Sequence, residues 1–182
     1  MGFTQTSIKD VWVLEPKVFA DARGYFFESF NEHSFQKETG LSTHFVQDNQ
    51  SKSDKGVLRG LHYQTGIHAQ AKLVRVLKGS VLDVAVDLRK DSQTYGEHFS
   101  IMLTEQNKKQ LFVPRGFAHG FLVLEDDTIF AYKCDNFYNK DSEGGIVFND
   151  KDLAINWKLE DTEFKLSEKD VLLPSFKNHR KF

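Results

Sequence analysis

The chain has 182 residues, 40% of them hydrophobic, with 24 basic against 26 acidic residues and a formal net charge of −2. That length suits one core, so a single domain over 1–182 is expected, and the charge balance gives no polyanion bias, which argues against nucleic acid. The lone Cys134 excludes an internal disulfide; no apolar run approaches the ~18 residues of a membrane span and no signal-peptide pattern opens the chain, so no membrane partner and a cytoplasmic location are expected.

In chain order, the first clear element is a helix over Asn31 to Glu38, with Asn31 as its N-cap and Gly40 just beyond its end. The segment Gln47-Asp48-Asn49-Gln50-Ser51 then concentrates amide and hydroxyl groups of the kind that orient a polar ligand. It is followed by Val57-Leu58-Arg59-Gly60-Leu61-His62-Tyr63-Gln64, which places a guanidinium able to grip phosphate near an imidazole able to move a proton. Three residues apart, Arg59 and His62 would face opposite sides of a regular strand. Gly60 between them marks a bulge that would turn both toward one pocket.

Lys72-Leu73-Val74-Arg75-Val76-Leu77 and Val81-Leu82-Asp83-Val84-Ala85-Val86-Asp87-Leu88 both alternate with period two, and Lys78-Gly79-Ser80 between them has hairpin length. The pair reads as a β-hairpin. Further strands are expected at Gln110 to Val113, Gly120 to Leu124 and Thr128 to Cys134, with a break at Pro114-Arg115-Gly116, an acidic turn at Glu125-Asp126-Asp127, and a short turn near Ser167. One face of the Thr128 strand carries Phe130, Tyr132 and Cys134; Lys72 shares a face with Val74 and Val76. Polar groups thus intrude on apolar faces. Many short strands argue an all-β sandwich, jelly roll or small barrel with a few short helices.

His62, His98 and His119 raise the question of a metal. A two-histidine strand site needs His-x-His, which puts both rings on one face, and position 64 is Gln64, so no metal is expected. His62 is then a natural general base, oriented by one of Asp48, Asp83, Asp87 or Asp170, among which the sequence does not choose. His119, between small residues, reads either as ligand-facing or as a buried histidine bonded to a carboxylate such as Asp83. Tyr138, near Glu143-Gly144-Gly145, offers a stacking surface for a nucleobase.

Taken together, Phe19-Ala20-Asp21-Ala22-Arg23-Gly24-Tyr25-Phe26-Phe27-Glu28, Phe45-Val46-Gln47-Asp48-Asn49, Leu58 to Gln64, Pro114 to Phe121 and Leu166-Ser167-Glu168-Lys169-Asp170 resemble the dTDP-4-dehydrorhamnose 3,5-epimerase family along nearly the whole chain. The resemblance implies a cupin-type jelly roll (double-stranded β-helix), a homodimer with exchange of N-terminal segments, and no metal or organic cofactor. The implied reaction is inversion of carbons 3 and 5 of dTDP-4-dehydro-6-deoxy-D-glucose in dTDP-L-rhamnose biosynthesis. By the same resemblance His62 is the base, Asp170 its orienting partner, Tyr132 the acid on the other face, and Lys72 the cation beside the developing enolate oxygen. Arg23, Glu28, Gln47, Asn49, Arg59, His119, Glu143 and Lys169 match positions that hold nucleotide and sugar, and Tyr138 matches the ring stacked on thymine. A 5-epimerase, a 3,4-ketoisomerase and a non-catalytic sugar-nucleotide binding cupin are the rival expectations.

Overall fold

A computed structural model describes residues 1–159 and 163–182. Its strands are β1 (Gly2–Gln5), β2 (Trp12–Glu15), β3 (Phe19–Asp21), β4 (Gly24–Phe26), β5 (Gln47–Ser53), β6 (Leu58–Gln64), β7 (Lys72–Lys78), β8 (Ser80–Asp87), β9 (His98–Thr104), β10 (Gln110–Val113), β11 (Phe117–Val123), β12 (Thr128–Cys134) and β13 (Glu143–Gly145). Helix α1 spans Glu32–Thr39 and helix α2 spans Glu168–Val171. A six-stranded sheet runs β1-β2-β10-β7-β12-β5 and a five-stranded sheet runs β13-β6-β11-β8-β9, with β3 and β4 forming a separate hairpin. The chain switches sheets repeatedly, which makes the architecture a jelly roll.

That switching corrects one expectation. β7 and β8 are separated only by Gly79, yet they do not pair: β7 lies between β10 and β12, and β8 between β11 and β9. Gly79 has φ +79°, and a Cβ there would collide with Thr128. The glycine turns the chain across the corner between sheets instead of folding it back on itself. β11 and β12 are likewise divided between the two sheets. Alternation says that a strand has two faces and is silent on which strand it pairs with.

The interior between the sheets holds Val74, Val76, Val81, Ala85, Leu111, Val113, Phe117, Phe121 and Phe130. Leu58, Leu82, Val84, Val86 and Leu122 form a second layer, covered by Ile146, Phe148, Leu153 and Trp157 from the later chain. β8 is therefore buried along all 8 residues, with one face toward each layer. Outside the six-stranded sheet, Leu14, Leu73 and Phe112 pack on Phe35 of α1. That helix is built as expected: Asn31 Oδ1 accepts from the Ser34 amide at 3.0 Å, and Gly40 ends it at φ 73°. Its docking rests on Phe35, whose full burial contributes about 1.5–3 kcal/mol.

Candidate active site

The cavity between the sheets has a volume of about 600 Å³ and is bounded on one side by β6 and β11 and on the other by β5, β7 and β12. Arg59 and His62 both line it. The cause is a bulge at Gly60: His62 stands opposite His119 and Arg59 opposite Phe121, so three steps along β6 match two along β11. Gly60 has φ +127°, and a Cβ on it would sit 2.5 Å from the Gly120 Cα, so no side chain fits where the strands cross so closely. Arg59 donates from Nη2 to Ser53 Oγ at 3.1 Å, which steadies the guanidinium on the cavity rim.

His62 Nε2 lies 2.6 Å from Asp170 Oδ1. Asp170 arrives on α2, whose N-cap Ser167 accepts the Asp170 amide at 3.1 Å. Burial acts to raise the Asp170 carboxyl, but its bond to His62, the imidazole charge and the Ser167 bond outweigh burial and hold it below the usual carboxylate range. The carboxylate therefore accepts the Nε2 proton and leaves Nδ1 as the nitrogen that can take another. The other three carboxylates considered are occupied: Asp48 with Lys133, Asp83 with His119, Asp87 with Arg89.

Across the cavity, Tyr132 on β12 stands between Val74 of β7 and Asn49 of β5. Lys72 Nζ lies 5.9 Å from the Tyr132 ring centroid, and among the described residues the side chains of Lys72 and Tyr132 have no hydrogen bond or ion pair. Burial lowers the Lys72 pKa, against the opposing pull of Cys134, Asp83 and Glu143. Burial raises the Tyr132 phenol, and Cys134 adds to this while Arg59 opposes it. The phenol thus holds its proton firmly. His119 is both things the sequence allowed: its Nε2 lies 3.0 Å from each Asp83 oxygen, and it lines the cavity.

A second lobe of about 310 Å³ shares Asn49, His62, Lys72 and Tyr132 and adds Gln47, Tyr138 and Glu143. Tyr138 donates its hydroxyl to Glu143 Oε2 at 3.1 Å, and Lys169 Nζ meets Glu143 Oε1 at 2.5 Å. Burial acts to raise the Glu143 carboxyl, but Lys169 and Tyr138 hold it below the usual range. Two expected residues are not brought here. Arg23, at the β3–β4 turn, pairs with Asp21 at 2.5 Å and its side chain is 90% exposed; Glu28 accepts from Asn31 Nδ2 at 3.1 Å. Sequence reasoning passed over Ser53, Ser167 as a support for Asp170, and Phe121, which stacks on Phe130 at 4.0 Å. Phe121 had a signal, since it follows His119 by two on one strand and so shares its face.

Among the described residues there is no group of three or more His, Cys, Asp or Glu placed to hold a metal ion, and no helix is long and apolar enough to cross a membrane. Fold and site together define a jelly-roll protein with an imidazole–carboxylate pair facing a phenol and an amine across one cavity. The comparisons with known proteins specify it. The family profile described as dTDP-4-dehydrorhamnose 3,5-epimerase matches residues 5–178. The Shigella flexneri protein of that name is 52% identical over 171 residues, covering 94% of this chain and 93% of the relative. The crystal structure of dTDP-4-dehydrorhamnose 3,5-epimerase from Elizabethkingia anophelis superposes with a TM-score of 0.95 at 57% identity, covering 98% of this chain and 97% of that one. A 3,5-epimerase from Legionella pneumophila, solved with dTDP-4-keto-L-rhamnose, gives a TM-score of 0.93 at 45% identity over 97% of this chain and 93% of that one. The chain belongs to the dTDP-4-dehydrorhamnose 3,5-epimerase family, isomerases of dTDP-L-rhamnose biosynthesis with a cupin-type fold.

Proposed function

We propose that the cavity binds dTDP-4-dehydro-6-deoxy-D-glucose and that His62 and Tyr132 invert its carbons 3 and 5. The 4-ketone acidifies the hydrogens on both neighbouring carbons. His62 removes one as a proton, the C–H electron pair becomes an enolate delocalised onto the carbonyl oxygen, and Asp170 stabilises the imidazolium. Tyr132 then returns a proton to the opposite face of the carbon, restoring the ketone with inverted configuration. Lys72 sits beside the enolate oxygen, where a fixed positive charge lowers the transition state more than the neutral ketone.

The observation that carries this reading is the placement of the His62–Asp170 pair and Tyr132 on opposite walls of one cavity with an unpaired lysine beside the phenol. Arg59 and Arg23 take the diphosphate and Tyr138 stacks on thymine, with Gln47, Asn49, His119, Glu143 and Lys169 holding the remaining polar groups. Arg23 and Glu28 lie away from the cavity of their own chain, on or near a hairpin whose Phe19, Tyr25 and Phe26 are 56%, 61% and 70% exposed. That supports a homodimer in which this segment completes the site of the second subunit.

The test is incubation with the substrate in deuterium oxide, followed by NMR at each sugar carbon. Deuterium at carbons 3 and 5 with inversion at both is the expected result. Exchange and inversion at one carbon would replace the reading with a mono-epimerase, and a moved carbonyl with a ketoisomerase.

A further inference from the structure

Cys134 belongs to none of the roles assigned so far, yet it sits at the end of β12, in the row of side chains next to Tyr132. In register on β12 it stands opposite Lys72 of β7 on one side and Gln47 of β5 on the other. Directly opposite residues of neighbouring strands point the same way with Cβ atoms about 4.5–5.5 Å apart, so the three side chains form one row. The next row along is Val74, Tyr132 and Asn49. Cys134 is 1% exposed and lines the second lobe of the cavity.

Its sulfur is the end of a chain of bonds. The Tyr138 amide donates to Gln47 Oε1 at 3.3 Å, Gln47 Nε2 donates to Asn49 Oδ1 at 3.1 Å, and Asn49 Nδ2 donates to Cys134 Sγ at 3.7 Å. Both ends of the Asn49 carboxamide are thereby fixed, one by Gln47 and the other by the thiol. Without the sulfur, Asn49 Nδ2 would lose its acceptor within the sheet and the carboxamide would be held at its Oδ1 end alone. Burial also pushes the Cys134 thiol up, against the pull of Lys72, so it stays protonated and uncharged. A carboxylate in that position would neutralise Lys72; a thiol leaves the charge available to the cavity.

We infer that Cys134 is a positioning residue: it anchors the Asn49–Gln47–Tyr138 chain that lines the nucleotide-sugar lobe and serves as an uncharged spacer beside Lys72. The inference rests on the proposed reading of the cavity for what the chain of bonds contacts. It requires that Cys134→Ala and the similarly shaped Cys134→Val weaken ligand binding and spare chemistry, while Cys134→Ser, which keeps an acceptor, restores binding.

The measurements are kcat and KM for the 4-keto substrate, and calorimetric titration with dTDP-glucose, which has no ketone and does not react. Loss of one modest hydrogen bond corresponds to a rise of about three- to fivefold in KM and in the dTDP-glucose Kd for the Ala and Val variants, with kcat within about twofold of the parent. Unchanged KM and Kd with only a lower Tm would overturn the inference and leave Cys134 as packing, as would a Ser variant no better than Ala. Should the parent protein bind dTDP-glucose with this pattern across the variants but fail to epimerise, positioning stands and the catalytic reading falls.

Discussion

On the five-stranded wall of the cavity, the three ionisable side chains of β6 and β11 that face the larger lobe all have partners: His62 on Asp170, His119 on Asp83, Arg59 on Ser53. On the six-stranded wall, the side chains of Lys72 and Tyr132 have no hydrogen bond or ion pair among the described residues, and burial moves their pKa values in opposite directions. On the proposed reaction, the two walls are prepared for different moments. A base must hold a fixed tautomer before substrate arrives, so its orienting carboxylate belongs to the resting protein. An acid and an oxyanion-stabilising cation meet their true partner only when charge develops, and a resting partner would compete with it.

The partnered wall breaks hardest at its base. His62→Ala should lower kcat by about 10⁴-fold, the upper range for a general base, and abolish deuterium uptake at both carbons. Asp170→Asn, whose amide can donate to Nε2 and hold the proton on Nδ1, should lower kcat by a similar factor of about 10⁴ through the wrong tautomer. Tyr132→Phe tests the other wall: we expect about 10³-fold loss of inversion, with residual deuterium uptake, because His62 still forms the enolate. Loss of uptake and inversion together would assign the first proton removal to Tyr132 as well.

Lys72 sharpens the comparison through stability. Its folded pKa lies below its ordinary value, so its protonated form is disfavoured by folding; the penalty operates at neutral pH and fades as pH rises through the folded pKa. Lys72→Met should therefore raise Tm while lowering kcat by roughly 10²-fold. A lower Tm would show that Lys72 supports the fold. The alkaline limb of the pH–rate profile tests the same pair, since burial moves the Tyr132 phenol up and the Lys72 amine down. Lys72→Arg, which stays charged, should move that limb to higher pH.

How much of this was readable beforehand differs between the walls for a physical reason. Lys72, Tyr132 and Cys134 lie on strands whose alternation shows a polar group on an apolar face, a local signal. The Gly60 bulge was also local, because a strand glycine between Arg59 and His62 resolves their opposed directions. The carboxylate serving His62 was not readable without the resemblance, since Asp170 lies 108 residues away and reaches it only once α2 packs on β6. Sheet membership failed at Gly79, where hairpin length and a corner crossing look alike in sequence.

The mildest expected effect concerns Arg59, the group on the partnered wall whose partner is neutral. Ser53 Oγ takes one guanidinium hydrogen bond, while an arginine carries five donors and its charge persists without any of them. Removing the hydroxyl loosens orientation and leaves attraction for a diphosphate intact. Ser53→Ala should thus raise KM about two- to threefold, the worth of part of one hydrogen bond, with kcat unchanged. Because Ser53 is 8% exposed and alanine leaves little void, a fall in kcat could not be put down to lost packing. Steady-state kinetics at fixed ionic strength decide it: a kcat effect would mean that Arg59 takes part in the chemical step, and the partnered wall would then do more than hold its groups ready.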